Sequence, residues 1–428
     1  MIADKKRFVL SFLCLALISS LGAKEKTSSL NAKCLSCHRV GSVCEAEYKI
    51  DENQFFASVH AGLDCTECHQ ISQSEADINA PHKKDLPEVN CIARCHQENQ
   101  KTPPGSSPLH YPDSVHGKAY LERKIQDVPR CWDCHGKHNI KKSSNLESTV
   151  NRKNIPLTCS VCHEDMNIIV KYNIHCEKPY QEYLNSEHGK ALYRKGLLLF
   201  AAVCTDCHGI HDIKGVGEPN LMAKRPETCG KCHVLIFNDY RESVHGQEAL
   251  KGNIDAALCV DCHGEHLIIS PLERAASTSL KNITYTCAGC HSRPEIMQKY
   301  DVPEDRIETF IQSLHGIATE YGDEATAKCT SCHGIHDIRP AANPLSRVNP
   351  ANLAQTCGQE KCHPGMPEKI AKAKIHLDIN QKKSGPAYYA QRIFLWLVIV
   401  TVLFTIFWFV PGLIKKIRLL KNKKGPKQ

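Results

Sequence analysis

Eleven cysteine pairs, each followed directly by a histidine, set the strongest limit on how this 428-residue chain can fold. Nine have the spacing Cys-x-x-Cys-His, at Cys34–Cys37–His38, Cys65–Cys68–His69, Cys131–Cys134–His135, Cys159–Cys162–His163, Cys204–Cys207–His208, Cys229–Cys232–His233, Cys259–Cys262–His263, Cys287–Cys290–His291 and Cys329–Cys332–His333. Two have longer spacers, Cys91–Cys95–His96 with three residues and Cys357–Cys362–His363 with four.

This motif is the attachment site of haem c, in which two cysteines form thioether bonds and the histidine binds the iron. A zinc ribbon or a disulfide is the alternative for any single cysteine pair. Neither alternative requires a histidine after the second cysteine, and here that histidine occurs every time. The sequence therefore predicts eleven covalently attached haem c groups, with the motif cysteines as thioether sites and the motif histidines as proximal iron ligands.

Most of the thirteen remaining histidines also stand in repeated contexts. Five follow Ser-x, namely His60, His116, His188, His245 and His315, and four stand in Cys-His-Gly-x-His, namely His138, His211, His266 and His336. We predict that these nine are distal iron ligands, together with His82 and His376, which lie between or after motifs. His110 and His175 have no repeated context, and the sequence assigns them no role.

The motifs and the additional histidines form an internal repeat. Four full repeats, called repeats 1 to 4, begin at Ser114, Ser186, Ser243 and Ser313. Each contains Ser-x-His-Gly, then Cys-x-x-Cys-His-Gly-x-His, then a second cysteine motif. A degenerate repeat begins at Ser58, and the motif at Cys34 stands alone before it. Two motifs and two additional histidines in each repeat predict bis-histidine ligation.

The two histidines of Cys-His-Gly-x-His cannot serve one haem if they share a helical turn. We take His263 and His266 as such neighbours, with side chains on one face and Cβ atoms roughly 5–6 Å apart. They could not then bind one iron from opposite sides, so His266 is predicted to reach a neighbouring haem. The sequence leaves open which iron His245 binds.

Both ends of the chain are apolar. Residues 1–23 predict a secretory signal peptide that includes Cys14, and a short membrane anchor is the alternative. The uncharged run 393–414 predicts a transmembrane helix over residues 390–414, with a buried core helix as the alternative. The basic residues 415–428 are expected to stay in the cytoplasm. We expect a single-pass protein of the inner membrane whose haem-binding part lies in the periplasm.

The net charge of +8 is concentrated at these ends, and the chain between them is close to neutral. It therefore has no basic patch of the kind that binds nucleic acid. Two cysteines outside the motifs remain in the exported part, and a Cys44–Cys176 disulfide is a hypothesis for them.

The predicted fold is a mainly α-helical multihaem protein with short helices and loops around the haems and little β structure. Only 42% of residues are hydrophobic and 6% aromatic, so the haems are expected to supply buried surface. We predict a three-haem region over 24–108 and an eight-haem region over 109–385. Helices are expected at 294–300 and 306–316, a loop at 101–108 and a small hairpin at 47–56.

The segments "QFFASVHAGLDCTECH", "SVHG…CVDCHGEH" and "CTSCHGIHDIRP…CGQEKCHPG" resemble the exported multihaem c-type cytochromes of bacterial respiratory chains. The resemblance implies haem pairs with bis-histidine iron that carry electrons between a membrane, quinone-linked partner and periplasmic or outer-membrane redox proteins. It also implies a separate cytochrome b or other quinone-reactive membrane subunit.

The alternative function is an oxidoreductase that acts on nitrite, hydroxylamine or a sulfur oxyanion. Such chemistry requires one haem with an open coordination position. The chain contains no Cys-x-x-Cys-Lys motif. The haem at Cys34–His38, whose distal ligand no repeat context supplies, is the candidate for an open position.

Overall fold

The computed structural model describes residues 28–42, 44–71, 86–97, 107–176, 178–215, 219–371, 376–378, 380 and 382–422. Over these residues the chain forms helices and loops, and its β structure is limited to an isolated bridge between Arg39 and Ile50. The predicted helical fold class is therefore confirmed for this part of the chain. The predicted signal peptide, Cys14 and His82 lie outside the described residues.

The chain divides into two compact units, Met1–Glu218 and Pro219–Gln428. This boundary falls inside repeat 2, so the predicted regions 24–108 and 109–385 do not coincide with the compact units. The N-terminal unit contains 3-10 helices at Ala46–Tyr48 and Pro108–Asp113 and the α-helices α1 Ser29–His38, α2 Glu52–Phe56, α3 Cys65–Cys68, α4 Cys91–Arg94, α5 Val115–Leu121, α6 Cys131–His135, α7 Ile155–His163, α8 Met166–Tyr172, α9 Pro179–Asn185, α10 Glu187–Tyr193 and α11 Cys204–His208.

The C-terminal unit repeats the same succession of short helices and ends in a long one. Its elements are a 3-10 helix at Lys382–Ser384 and the α-helices α12 Pro219–Gly230, α13 Val234–Arg241, α14 Val244–Leu250, α15 Cys259–His263, α16 Ile283–His291, α17 Pro294–Lys299, α18 Arg306–Ile311, α19 Leu314–Glu320, α20 Cys329–His333, α21 Leu353–Cys357, α22 Glu368–Ala371 and α23 Pro386–Asn422.

Buried apolar residues form small local clusters. One contains Tyr183, Leu192, Ala201 and Val203, and a second, at the equivalent place in repeat 3, contains Tyr240, Ala249 and Leu258. Large apolar side chains elsewhere are exposed to solvent in the protein alone, among them Phe200 at 82% and Leu272 at 94%. The protein atoms thus form a small apolar joint in each of these two repeats, while many large apolar side chains are exposed.

Four local predictions of secondary structure have different outcomes. The predicted hairpin at 47–56 is wrong, because the Asp51 side chain accepts hydrogen bonds from two following backbone N–H groups and begins helix α2. The helix at 294–300 is confirmed by α17. The segment 306–316 contains two helices, α18 and α19, because Ser313 ends one and caps the next. The predicted loop at 101–108 lies mostly outside the described residues.

Helix α23 is long and apolar enough to cross a membrane. Within its span Pro386–Leu420, the most apolar 18-residue window has a mean hydropathy of 2.8, and none of that window is buried inside the protein. At a rise of about 1.5 Å per residue, it exceeds the roughly 30 Å thickness of a hydrocarbon core. The alternative of a buried core helix does not fit this exposure, and α23 is the candidate membrane anchor.

Candidate functional site

The first cysteine motif of each full repeat forms a helix of five residues that begins at the first cysteine and ends at the histidine. In repeat 3, the side chain of Asp261 accepts a hydrogen bond of 2.7 Å from the Leu258 backbone N–H and so caps the helix. Gly264 then adopts φ +82°, which ends the helix. The motif histidine is therefore the last helical residue of a rigid, capped turn.

In repeats 1 and 3, the second cysteine motif closes a nine-residue helix that is fixed to the loop before it, and in repeat 4 the corresponding helix ends at the first cysteine of the motif. In repeat 3, Asn282 donates hydrogen bonds of 2.9 Å to the carbonyls of both Arg274 and Ala276, and Thr286 donates one of 2.7 Å to Ser277. Repeats 1 and 4 contain the same bonds from Asn154, Thr158, Asn352 and Thr356. These bonds hold the loop between the two motifs in one conformation.

The Ser-x-His-Gly segment forms a tight joint. Ser243 accepts a hydrogen bond from Gly246 N–H at 3.0 Å and donates one to the Tyr240 carbonyl at 2.6 Å. A Cβ on Gly246 would lie 1.9 Å from the same carbonyl oxygen, so only glycine fits. The Tyr240 hydroxyl donates to the Ala257 carbonyl at 2.8 Å, two residues before the first motif. This joint fixes His245, in the first turn of α14, relative to the cysteine motif.

The joint recurs in the other repeats, and the sequence analysis missed its aromatic member. An aromatic residue stands three positions before each serine, and the signal was therefore present in the sequence. These residues are Phe55, Tyr111, Tyr183, Tyr240 and Phe310. The tyrosines before repeats 1 and 2 make the same hydroxyl-to-carbonyl bond, to Pro129 and Ala202.

A backbone hydrogen bond also connects consecutive repeats. The N–H that follows the serine donates to a carbonyl two residues after the second histidine of the next Cys-His-Gly-x-His. These bonds run from Val59 to Ile140, from Val115 to Ile213 and from Val244 to Ile338, each at 2.8 Å. They set the register between neighbouring repeats.

Within this scaffold, histidine rings face one another in pairs. Each pair joins the histidine of a cysteine motif to one of the predicted distal histidines, with ring centroids 5.9–6.4 Å apart. The pairs are His60–His96, His69–His138, His116–His163, His135–His211, His245–His291, His263–His336, His315–His363 and His333–His376.

The ring separation fits two imidazoles bound to one metal ion from opposite sides. With metal–nitrogen bonds of about 2 Å, the centroids of two such rings lie roughly 6 Å apart. Direct hydrogen bonding between the imidazoles would bring the rings closer, because hydrogen-bonded nitrogen atoms lie only about 3 Å apart. The pairs therefore have the spacing that an iron ion between the rings requires.

Two pairing rules describe these contacts. The histidine of Ser-x-His faces the second-motif histidine of its own repeat, as His245 faces His291. The second histidine of Cys-His-Gly-x-His faces the first-motif histidine of the preceding repeat, as His336 faces His263. His376 takes the latter role after the last repeat, opposite His333.

The premise that His263 and His266 share a helical turn is wrong, because α15 ends at His263 and Gly264 turns the chain. That premise led to the expectation that the two histidines serve different haems. In repeat 1 the equivalent histidines have different partners, since His135 faces His211 and His138 faces His69.

Burial favours the neutral form of these imidazoles, which is the form that binds a metal. Desolvation, with a smaller contribution from the partner histidine, lowers the pKa of His116 and of His245 to about 4. The pKa values of the paired histidines His60, His135, His138, His263, His291, His315, His333, His336 and His376 are also lowered, in each case mainly by burial.

The motif cysteines form no disulfide bonds with one another. All 24 cysteines in the described part of the chain are free of disulfides. Burial and neighbouring thiols raise the pKa of Cys134 and of Cys332 to about 11. In the same two motifs, a hydrogen bond from the first thiol of a neighbouring motif lowers the pKa of Cys131 and of Cys329 to about 7. The motif thiols therefore do not share one electrostatic environment.

The two cysteines outside the motifs do not approach each other. Cys44 Sγ lies 3.7 Å from His38 Nδ1, and Cys176 Sγ lies 3.9 Å from the Glu182 carboxylate. The Cys44–Cys176 disulfide hypothesis is therefore wrong for this structure, since each thiol contacts a different segment.

The remaining predicted ligands are placed as follows. His38 Nδ1 lies 3.1 Å from the Tyr48 carbonyl, so its Nδ1–H donates there and Nε2 is the nitrogen with the lone pair. His188, His208, His233 and His266 are described, and each has side-chain interactions. His110 and His175 are exposed, and neither belongs to the eight ring pairs.

No family model, curated protein or solved structure matches the chain. The function proposed below therefore stands on the motifs, the ring pairs and the membrane helix.

Proposed function

We propose that the chain is a membrane-anchored multihaem c-type cytochrome that carries electrons. The observation that supports this most strongly is the set of eight histidine pairs, each of which joins a motif histidine to a second imidazole at the spacing of two trans ligands. Haem c would be held by the motif cysteines and these histidines, and it would supply reversible one-electron chemistry at iron.

Contacts between successive motifs favour a chain of closely spaced electron carriers. The first cysteine of one motif lies against the first cysteine of the next in the pairs Cys34 and Cys65, Cys91 and Cys131, Cys159 and Cys204, Cys229 and Cys259, and Cys287 and Cys329. Haem groups held at these adjacent sulfurs would be close neighbours, so an electron would cross a short distance within each of these pairs.

The pairs also favour electron transfer over substrate chemistry. An oxidoreductase needs an iron with an open coordination position, whereas the eight described pairs each provide two imidazoles. Nitrite, hydroxylamine or sulfur-oxyanion chemistry would have to occur at another of the eleven motifs, such as Cys34–His38. We therefore propose electron transfer as the function and keep the oxidoreductase as an outcome of the test.

The membrane arrangement follows from the C-terminal helix. Helix α23 would anchor the chain in the inner membrane, with its basic end in the cytoplasm and the haem-binding units in the periplasm. The proposed partners are a cytochrome b or other quinone-reactive membrane subunit on one side and periplasmic or outer-membrane redox proteins on the other. The direction of electron flow between them depends on the reduction potentials of the partners.

The test is the haem content of the full chain, produced with a c-type maturation system and purified from membranes. Pyridine haemochrome analysis should give eleven haem c groups per chain. The double variant Cys259→Ser and Cys262→Ser should lose one of them, whereas Cys176→Ser, outside the motifs, should lose none. Zinc in place of haem would contradict the proposal.

The optical spectrum of the same preparation separates the two functions. Electron transfer predicts low-spin bands throughout and no change when carbon monoxide is added to the reduced protein. A high-spin band with carbon monoxide binding would favour the oxidoreductase.

The anchor is tested separately by deletion of residues 386–428. The shortened chain should leave the membrane fraction and keep its haem content. Retention in washed membranes would contradict the assignment of α23 as the anchor.

A further inference from the structure

The eight histidine pairs fall into two sets by the angle between their rings. The pairs formed within one repeat are strongly inclined, with interplanar angles of 57° for His60–His96, 54° for His116–His163, 58° for His245–His291 and 46° for His315–His363. The pairs formed between repeats are closer to parallel, with angles of 31° for His69–His138, 18° for His135–His211 and 15° for His263–His336.

The two sets differ in the backbone that carries the second histidine. In three pairs of the inclined set, this histidine lies in the first turn of a helix that a serine caps, as His245 does in α14. In the fourth, His60 lies in a turn, and its backbone N–H donates to the Ser58 hydroxyl. In the near-parallel set, the second histidine lies in a bend two residues after a positive-φ glycine, as His336 does after Gly334. The ring torsion of histidine is intrinsically broad, so the backbone and the surrounding contacts set the ring angle.

The last pair shows whether the ring angle follows the local backbone of the second histidine or the position of the pair along the chain. His376 stands where a following repeat would supply the second histidine, but it does not follow a Cys-His-Gly sequence. It pairs with His333 at 47°, an angle of the inclined set. Its Nδ1 lies 3.1 Å from the Thr309 hydroxyl, a contact that holds the ring. The near-parallel geometry therefore accompanies the Gly-x-His segment.

We propose that the chain carries two classes of bis-histidine haem site, near-parallel and inclined, which alternate along the repeats. This inference rests on the proposed haem binding and adds a division among the sites. In the degenerate repeat and in repeats 1 and 3, the first motif contributes to a near-parallel site and the second motif to an inclined site. In repeat 4 both described pairs are inclined, because the first motif pairs with His376.

The ring angle matters because each imidazole donates π electrons to one direction in the haem plane. The iron has two d orbitals that can interact with imidazole π electrons. Parallel rings act on the same one of these orbitals and split the two in energy, whereas rings turned toward the perpendicular act on both orbitals and reduce the splitting. The oxidised low-spin iron of a near-parallel site therefore gives a rhombic electron paramagnetic resonance signal. An inclined site gives a signal moved toward a larger maximal g value, and its reduction potential differs by the same electronic effect.

The test is low-temperature electron paramagnetic resonance of the oxidised full chain, with haem content measured on the same sample. We expect two low-spin signals, one rhombic and one with a larger maximal g value. His336→Ala should remove the amplitude of one haem from the rhombic signal. The matched variant His245→Ala should remove that amount from the other signal. His336→Met and His245→Met, which keep a sixth ligand, should deplete the same signals and guard against loss of folding.

The outcomes separate this inference from haem binding itself. A sample without haem would overturn the proposed function. A sample with full haem content but one class of low-spin signal would overturn only the two-class inference. Depletion of the same signal by both His336 and His245 variants would also overturn it.

Discussion

Gly246→Ala tests the joint that places His245. The new Cβ would lie 1.9 Å from the Tyr240 carbonyl oxygen and 2.6 Å from its carbon, whereas ordinary contacts begin near 3.4 Å. Both atoms belong to the backbone at the end of α13, so α14 must move away by more than an ångström. Overpacking of this kind costs about 1–3 kcal/mol.

This cost predicts a measurable loss of stability. At about 2–4 °C per kcal/mol for a unit of this size, the thermal midpoint of the detergent-solubilised full chain should fall by roughly 2–12 °C. Because α14 carries His245, the low-spin spectrum of one haem should change as well. Far-UV circular dichroism and the optical spectrum measure the two effects.

Gly289→Ala is the matched control. Gly289 lies in the spacer of the motif that supplies His291, is exposed, and has no atom within 4 Å of an added Cβ. Since alanine favours a helix over glycine by about 0.5–1 kcal/mol, this variant should be slightly more stable than the native chain. Equal thermal midpoints for Gly246→Ala and Gly289→Ala would refute the claim that close packing at Gly246 stabilises the joint.

Two further predictions concern the same elements. Tyr240→Phe removes the hydrogen bond to the Ala257 carbonyl and should lower the free energy of unfolding by about 0.5–1.5 kcal/mol. The control Tyr285→Phe, at an exposed ring, should change it little. Denaturant midpoints of the two variants measure the difference, and equal losses would contradict the prediction. In the protein without haem, the folded pKa of His116 and of His245 is about 4, below the unfolded value near 6.5, so the unfolded chain binds more protons in between. The stability of the haem-free protein should therefore be full above about pH 6.5 and fall toward pH 4. Midpoints that do not change between pH 7 and pH 5 would contradict this assignment.

The sequence predicted those parts of the fold that depend on local spacing. The cysteine motifs, the Ser-x-His-Gly repeats and the choice of distal histidines follow from residues within a few positions of each other. In the eight described pairs, the structure brings each of these motif histidines opposite a histidine that the sequence had selected. Helices α17 and α23 also follow from local composition.

The partners within each pair could not be predicted, because they depend on contacts between repeats. His245 faces His291 and His336 faces His263 only after the joint and the bond from Val244 to Ile338 have set the register. The helical placement of His266 failed because Gly264 adopts a positive φ that an isolated helix pattern does not reveal. The hairpin at 47–56 failed because the Asp51 cap outweighed the strand propensity of its neighbours.

The central claim is that iron lies between the named histidine rings. Crystallography of the haem-loaded chain without residues 386–428, with anomalous differences collected at the iron absorption edge, tests it directly. The account predicts an iron peak between the two rings of each of the eight pairs, such as His245–His291 and His263–His336. Iron coordinated by other residues, or these ring pairs closed on each other without iron between them, would contradict it.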